Sequence, residues 1–170
     1  MAVSQDTLLE YSQRENLQKS EAVTEEARLK GETTAFLCHS HKDAALAKGV
    51  QRWLRALGWD IYIDWDDLSM PSRPNRTTAN KIKQKIQRLD YLLFLATGNS
   101  MSSRWCPWEI GYADGKKGAD AIIIIPTASG GTTHGSEYLD LYRNIDSVLT
   151  GGFALFEAGD TRSGRSLKSL

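Results

Sequence analysis

The chain has 170 residues, with 21 basic and 21 acidic side chains and therefore a formal net charge of zero. This length is sufficient for one domain with a substantial core, and the neutral charge gives no electrostatic reason to expect nucleic acid or a membrane surface as a partner. The two cysteines do not form a disulfide framework, and the N-terminus lacks the apolar stretch of a signal peptide. We therefore expect a cytoplasmic protein with reduced thiols.

The first 31 residues are rich in Glu, Gln, Lys and Arg with scattered aliphatic residues, which predicts a helical N-terminal extension ending near Gly31. Such a segment either packs on the domain or forms a partly frayed arm. The domain itself is predicted to span residues 32–158, and residues 159–170 are predicted to form a flexible tail.

Apolar runs and helical patterns alternate along the predicted domain. We predict four strands and three helices here, with Pro126 ending the fourth strand. The strands cover 35–38, 61–63, 91–96 and 121–125, and the helices cover 43–57, a segment starting at Thr77 or Thr78 and reaching Leu89, and 105–117. Beyond a Gly-rich loop at 128–136 we expect a short helix near 138–142, and either 144–148 or 153–156 as a fifth edge strand.

The strands are apolar throughout rather than at alternate positions, which is typical of strands buried on both faces. The sequence therefore predicts an α/β fold of the flavodoxin-like type, a five-stranded parallel sheet with helices on both faces. In the strand order 2-1-3-4-5, ligands bind where the carboxyl ends of strands 1 and 3 meet. The loops 39–43 and 97–105 should therefore face each other, with the loop 64–76 closing one side.

Several occupants of this fold class are excluded by the residues at these loops. The loop after strand 1 has no glycine to cradle a phosphate, Ala96 and Thr97 stand where a phosphoryl-accepting aspartate would lie, and no Gly-x-Ser-x-Gly nucleophile motif occurs. What remains is Glu109, one helical turn after Trp105 and on the same face. A carboxylate in such a cleft can bind ribose hydroxyls and favour an oxocarbenium-like transition state.

Other residues have simpler interpretations. Ser103 is suited to cap the helix that carries Glu109, and Trp108 is expected to be more structural than Trp105. We expect no metal site, because His39 and His41 have no Cys or His partners at metal-binding spacing. The acidic residues at 64, 66 and 67 are expected to form a solvated loop.

Three segments together resemble the Toll/interleukin-1 receptor (TIR) domain family, specifically its bacterial NAD-cleaving members such as the stand-alone TIR proteins of Thoeris-type antiphage systems. The first segment runs from Phe36 to Asp43, the second from Asp64 to Leu68, and the third is the pattern Ser103-x-Trp105-Cys106-x-x-Glu109. The resemblance covers about residues 33–126.

The resemblance implies an NAD+ nucleosidase or ADP-ribosyl cyclase of the hydrolase class, with Glu109 as the catalytic residue, NAD+ as the substrate and no separate cofactor. It also implies self-association through TIR–TIR contacts and a role in antiviral defence, with the product reaching a separate effector protein. Two alternatives remain open: a non-enzymatic TIR–TIR adaptor and an enzyme similar to nucleoside deoxyribosyltransferases. The substrate-binding residues implied are His39, Ser40, Lys42, Asp43, Trp65, Ser103 and Trp105.

Overall fold

The structure is a computed structural model that describes residues 2–14, 30–66, 75–148 and 151–169. The strands are β1 (Val3–Ser4), β2 (Thr33–Cys38), β3 (Trp59–Tyr62), β4 (Tyr91–Ala96), β5 (Ile122–Ser129), β6 (Thr132–His134), β7 (Arg143–Ser147), β8 (Phe153–Phe156) and β9 (Arg165–Ser166). The α-helices are α1 (Gln5–Gln13), α2 (Ala44–Arg55), α3 (Arg76–Arg88), α4 (Gly98–Met101) and α5 (Cys106–Lys117).

The central sheet confirms the predicted fold class. Its parallel part has the order β3-β2-β4-β5-β7, which is the order 2-1-3-4-5 when strands are counted from β2. Both candidates for the fifth strand form strands, because β7 pairs with β5 in parallel and β8 then adds antiparallel to β7. The reversal of strand order therefore lies between β2 and β4, as predicted.

The two faces of this sheet are covered by different helices, which explains why its strands are apolar throughout. Leu46, Val50 and Leu54 of α2 pack on one face, and Ile86 of α3 and Ile110 of α5 pack on the other. Within the described residues, no helix is long and apolar enough to cross a membrane.

The prediction that Pro126 ends its strand was wrong. β5 continues through Pro126 to Ser129, and Pro126 still pairs with Ala96 of β4. Pro126 lies where β5 changes neighbours: β7 pairs with it at Ile123 and Ile124, whereas β1 and β6 pair with it from Thr127 onward. A proline is tolerated at such a junction because no continuous ladder requires its missing N–H.

The predicted glycine-rich loop is a hairpin. Ser129 pairs with Thr132, and Gly130 and Gly131 form the two-residue turn with φ values of 55° and 81°. Such a turn needs positive φ at both positions, which glycine adopts without strain. Beyond the hairpin, Glu137–Leu141 form a 3-10 helix at the predicted short helix.

The N-terminal segment is packed into the domain rather than forming an arm. β1 pairs with β5, and Val3 and Leu8 are fully buried in the same core as α2. Gly49 allows this packing, because a Cβ atom there would lie 2.0 Å from the carbonyl oxygen of Leu8. The helical extension is thus observed at Gln5–Gln13, and its predicted continuation over 15–29 lies outside the described residues.

The prediction of a flexible C-terminal tail is contradicted over its last described residues. β9 pairs with β8, and Leu167 is 3% exposed within the core. The indole N–H of Trp59 donates to the carbonyl oxygen of Leu167 over 2.7 Å. The polar composition of the tail conceals this contact, because a single buried leucine and one backbone carbonyl anchor it.

Helix α3 begins earlier than predicted, because its cap lies two or three residues before Thr77 or Thr78, the positions predicted for it. Its cap is Asn75, whose side-chain oxygen accepts from the backbone N–H groups of Thr77 (2.8 Å) and Thr78 (3.1 Å). Thr78 completes a capping box, because its hydroxyl accepts from the backbone N–H of Asn75 at 3.1 Å. This cap fixes the start of α3 beside the cleft described next.

Candidate active site

A cleft of about 270 Å³ opens at the carboxyl ends of the parallel strands, where the strand order reverses. Its walls come from the end of β2 and the following turn, from the turn after β3, and from the first turns of α3 and α5. The lining residues are Phe36, Leu37, His39, Ser40, His41, Lys42, Asp64, Thr78, Ile82, Ser103, Trp105 and Glu109. Six of the predicted site residues therefore meet here: His39, Ser40, Lys42, Ser103, Trp105 and Glu109.

The start of α5 positions the carboxylate. The hydroxyl oxygen of Ser103 accepts from the backbone N–H groups of Trp105 (3.2 Å) and Cys106 (3.4 Å), which satisfies donors that the helix leaves unpaired. Pro107 lies in the first turn, where its missing N–H costs no helical hydrogen bond. Ser103 therefore lines the cleft and accepts from backbone N–H groups at the start of α5, while the capping position itself is Trp105, whose side chain makes no capping hydrogen bond.

Glu109 is buried, with 6% of its surface exposed. Burial raises the pKa of its carboxyl well above the usual value of 4.5, and a hydrogen bond with the Cys38 thiol partly offsets that rise. The pKa of the Cys38 thiol is itself raised, chiefly by burial. A carboxyl in this environment is poised to respond to a positive charge, because the surrounding apolar walls screen charge weakly.

The tryptophan at the cap of α5 and the one inside that helix differ in the way that the sequence predicts. Trp105 lines the cleft and is 36% exposed, whereas Trp108 is half-buried and packs against the core beneath α3. Their rings meet edge-on with centroids 5.4 Å apart, and Trp108 in turn stacks on Tyr112 at 6.1 Å. Lys83 of α3 lies 5.6 Å from the Trp108 ring centre. Trp108 therefore supports the wall that Trp105 presents to the cleft.

The opposite wall is built around His39. Trp65 packs edge-on against the His39 ring at a centroid distance of 4.4 Å, so Trp65 stands behind the cleft and does not line it. Asp64 is half-buried in the cleft, with Oδ1 3.9 Å from Nε2 of His39 and Oδ2 3.9 Å from Nε2 of His41. Asp64 is thus not the solvated loop residue that was predicted. Asp66 is paired with Lys48, and position 67 lies outside the described residues.

Asp43 does not reach the cleft, although it belongs to the predicted substrate-binding set. Its carboxylate accepts from the Thr97 hydroxyl and the Asn99 side-chain amide, each over 2.6 Å. The 3-10 turn His41–Asp43 directs it into a neighbouring pocket, which it lines with Thr97 and Asn99. Asp43 therefore ties the loop after β2 to the loop after β4, and so holds the two loops of the site together.

Sequence reasoning missed several lining residues. Phe36 and Leu37 lie at the end of β2, and Thr78 and Ile82 lie on the first turns of α3. Apolar residues and a capping threonine carry no chemical signal of their own in the sequence. Asp64 was recognised in an acidic run and as the first residue of the segment from Asp64 to Leu68, but not as a lining residue, because its neighbours in space come from a different loop.

The site combines a buried carboxyl, an exposed indole, hydroxyls and a basic side chain around one apolar cleft. The carboxylate can bind hydroxyls or face a cation, the indole can stack on a flat ring, and the Lys42 ammonium can approach an anionic group. Neither cysteine is in a disulfide, and both are buried, which agrees with the expectation that Cys106 is a packed side chain.

Comparison with protein families agrees with this fold and this site. The family model of the TIR domain matches residues 35–149, which span the sheet from β2 to β7 and the whole cleft. The chain belongs to the TIR domain family. The family resemblance predicted from the three motifs is thereby confirmed. The chain is therefore not assigned to the deoxyribosyltransferase family, the alternative named above.

Two similar proteins have been described. The first, "Probable 3' cyclic ADP-D-ribose synthase ThsB'" of Bacillus cereus (strain MSX-D12), is 36% identical over 110 residues, which are 63% of this chain and 57% of that protein. The second, "Putative cyclic ADP-D-ribose synthase TIR2" of Cytobacillus dafuensis, is 28% identical over 81 residues, which are 46% of this chain and 21% of that protein. The matched segments thus span less than two thirds of either relative.

Proposed function

We propose that this chain cleaves the nicotinamide–ribose bond of NAD+ and closes the remaining ADP-ribose into a cyclic product. The observation that carries the proposal is the position of Glu109, a buried carboxyl in the cleft where the strand order reverses. The names of the two relatives, both cyclic ADP-D-ribose synthases, support the same reaction class.

The reaction suits a buried carboxylate for an electrostatic reason. The bond between the nicotinamide nitrogen and the ribose anomeric carbon breaks with its electron pair going to nicotinamide, and positive charge moves onto the ribose ring. Glu109 faces that charge across an apolar cleft, where the attraction is stronger than in water. Its oxygens can also accept hydrogen bonds from the ribose hydroxyls, which hold the sugar in place.

The remainder of the cleft fits the other parts of NAD+. The Trp105 indole is exposed enough to stack on the nicotinamide ring, and Ser103 lies beside it. Ser40 and Lys42 provide a hydroxyl and an ammonium on the other side of the cleft, where they can bind the diphosphate. His39 is positioned by Trp65 between these groups.

Product choice depends on which nucleophile reaches the anomeric carbon. In cyclisation a nucleophilic atom of the same ADP-ribosyl group forms the new bond and a proton is released, whereas in hydrolysis water supplies the oxygen. The apolar walls formed by Phe36, Leu37 and Ile82 disfavour water at that carbon, which favours cyclisation over hydrolysis, the two reactions that the resemblance left open. We propose that the cyclic product acts as a signal for a separate effector in antiviral defence in the cytoplasm.

Mass spectrometry of the products formed from NAD+ by the purified chain tests this proposal. We expect nicotinamide together with a product one water molecule lighter than ADP-ribose. The measurement should be made at high protein concentration, because we also propose that TIR–TIR contacts assemble the active form. If ADP-ribose is the only product formed besides nicotinamide, the chain is a hydrolase and not a cyclase.

A matched pair of variants separates the enzyme from the adaptor. Glu109→Gln keeps the size and hydrogen-bonding capacity of the side chain but removes its charge, whereas Glu10→Gln makes the same change at an exposed position on α1. Loss of cleavage in the first and not in the second supports the enzyme. If the wild-type protein is as inactive as Glu109→Gln and both still bind TIR domains, the chain is a non-enzymatic adaptor.

A further inference from the structure

A cluster of metal-binding side chains lies at one edge of the cleft. His39 and His41 belong to the turn after β2 and Asp64 to the turn after β3, and each offers a ligand atom within 4.8 Å of the other two. The cluster was not predicted from the sequence, because its third member comes from a different loop. Two imidazoles and one carboxylate are a recurring ligand set for divalent transition metals.

The hydrogen bonds of His39 fix which ring nitrogen is free. Its Nδ1 lies 2.8 Å from the backbone carbonyl oxygen of Leu37, and since a carbonyl only accepts, Nδ1 must carry the hydrogen. In the neutral ring, Nε2 then holds a lone pair and no proton.

The free nitrogen of His39 is buried and points at a carboxylate. The side chain is 3% exposed, and Nε2 has no hydrogen-bond partner among the described residues. Its nearest charged neighbour is Oδ1 of Asp64 at 3.9 Å, so a lone pair faces an anionic oxygen. An unsatisfied buried acceptor is costly, and a cation between the two atoms would satisfy both.

The surroundings hold two of the three ligands in place. The bond from His39 Nδ1–H to Leu37 is the outer contact that metal-binding histidines usually make, because it fixes the tautomer and the ring orientation. The backbone N–H of Trp65 donates to Oδ1 of Asp64 over 2.9 Å, and the Trp65 ring packs on His39. These contacts orient both groups toward the same point.

His41 supplies the adjustable ligand. Its side chain is 70% exposed, so its ring can turn without disturbing the core. Ligand atoms about 2 Å from a tetrahedral ion lie about 3.3 Å from one another. The two 3.9 Å separations of Asp64 from His39 and from His41 therefore have to shorten by about 0.6 Å. Rotation of the exposed His41 ring can shorten its own separation, and a small rotation of the Asp64 side chain can shorten the separation from His39.

We propose that His39, His41 and Asp64 bind one divalent transition-metal ion of the Zn²⁺ type, through Nε2 of each histidine and a carboxylate oxygen. Two imidazole ligands favour such ions over Mg²⁺ and Ca²⁺, which prefer oxygen ligands. Three protein ligands leave a fourth position open toward the cleft. This proposal rests on the cluster alone and holds whether or not the chain cleaves NAD+.

The test is calorimetric titration of ZnCl₂ into the full chain, made without a histidine tag, stripped with chelator and kept free of NAD+. We expect one ion per chain. Asp64→Asn and His41→Gln should weaken binding by at least about tenfold, as loss of a ligand or its support does. His134→Gln is the matched control, because His134 is the remaining histidine and lies in the other pocket. Circular dichroism of each variant establishes that the fold is retained.

Cobalt absorption identifies the ligands independently. Co²⁺ in the same site should give a visible spectrum without a thiolate charge-transfer band, and Zn²⁺ should abolish that spectrum. A strong thiolate band would assign the ion to Cys38 and Cys106 and overturn the proposal. It would equally be overturned if the folded wild-type protein shows no saturable Zn²⁺ binding, or if it binds the ion no more tightly than Asp64→Asn does.

Discussion

The backbone N–H of Glu109 donates to the carbonyl oxygen of Trp105 over 2.9 Å, which places the buried carboxyl one helical turn behind the exposed indole. Both side chains reach the same cleft because Trp105, at the cap of α5, lies four residues before Glu109. The start of α5, where Ser103 accepts from two backbone N–H groups, therefore positions the Glu109 carboxyl to face a developing positive charge and the Trp105 indole to stack on a flat ring.

Trp105→Ala should weaken NAD+ binding more than it weakens the fold. The ring is one-third exposed, so its removal leaves no closed cavity, but a stacking contact worth about 0.5–1.5 kcal/mol is lost. We expect KM to rise about 2- to 10-fold with little change in Tm. Trp108→Ala is the comparison, since its half-buried ring should cost stability first. A large fall in Tm for Trp105→Ala with unchanged KM would contradict the assignment.

The pH dependence of cleavage should report the environment of Glu109. Burial raises the pKa of its carboxyl, and the ionised form is the one that faces positive charge, so activity should fall on the acid side at a pH above 4.5. Bound NAD+ brings a positive nicotinamide ring to Glu109, which favours its ionised form. The fall of kcat at acid pH (its acid limb), which reports the enzyme with substrate bound, should therefore lie at lower pH than the acid limb of kcat/KM, which reports the free enzyme. Coincident limbs would indicate that Glu109 does not face the charged ring.

The Cys38 thiol should affect the pH at which activity falls on the acid side. The hydrogen bond with its thiol lowers the pKa of Glu109, so Cys38→Ala should raise the pKa further and move the acid limb of kcat/KM to higher pH. Cys38→Ser keeps a hydrogen-bond donor of similar size and should leave the limb close to its wild-type position. Equal shifts in the two variants would show that packing, and not the hydrogen bond, is responsible.

Glu109→Gln should stabilise the protein at neutral pH. Because folding raises the pKa of Glu109, the folded state binds more protons than the unfolded state between the two pKa values, and the free energy of unfolding falls as pH rises through that window. Glu109→Gln has no carboxyl to titrate, so its free energy of unfolding does not fall in this way as pH rises. Thermal unfolding should show a higher Tm at pH 7, about 2–4 °C per kcal/mol gained, and no gain below pH 4.5. A variant less stable than wild type at pH 7 would exclude this account.

The N-terminal segment should be part of the folding unit. Gly49→Ala places a methyl group against the backbone of Leu8, which cannot move as a flexible side chain can, so α1 must separate from α2. We expect a loss of about 1–3 kcal/mol in urea unfolding. Gly115→Ala on α5 is the control, because nothing lies within 4 Å of its Cβ position and it should be neutral or slightly stabilising. Equal stability of the two variants would mean that the two helices do not pack closely.

The sheet and the position of its site follow from the sequence because uninterrupted apolar strands admit few arrangements. Strands such as β4 must be buried on both faces, which requires helices on both sides and locates the cleft at the reversal of strand order. The shared face of Trp105 and Glu109 follows from their helical spacing. These inferences use local patterns, and local patterns are what a sequence displays directly.

Contacts between distant segments were beyond such reasoning. The anchoring of Leu167 under Trp59 and the meeting of Asp64 with His39 each join residues from separate loops or ends of the chain. Asp43 was placed in the wrong pocket because its hydrogen bonds with Thr97 and Asn99 cross between two loops. The end of the strand was wrongly predicted at Pro126 for a related reason, since only the change of strand neighbours explains why β5 tolerates a proline there.

The central claim is that Glu109 makes this cleft a site of NAD+ cleavage. It is tested most directly by the rate of nicotinamide release from NAD+ by the wild-type chain, by Glu109→Gln and by Glu10→Gln at the same high protein concentration. We predict that the wild type and Glu10→Gln release nicotinamide at similar rates, and that Glu109→Gln is slower by at least about 100-fold. Undiminished release by a folded Glu109→Gln variant would contradict the account.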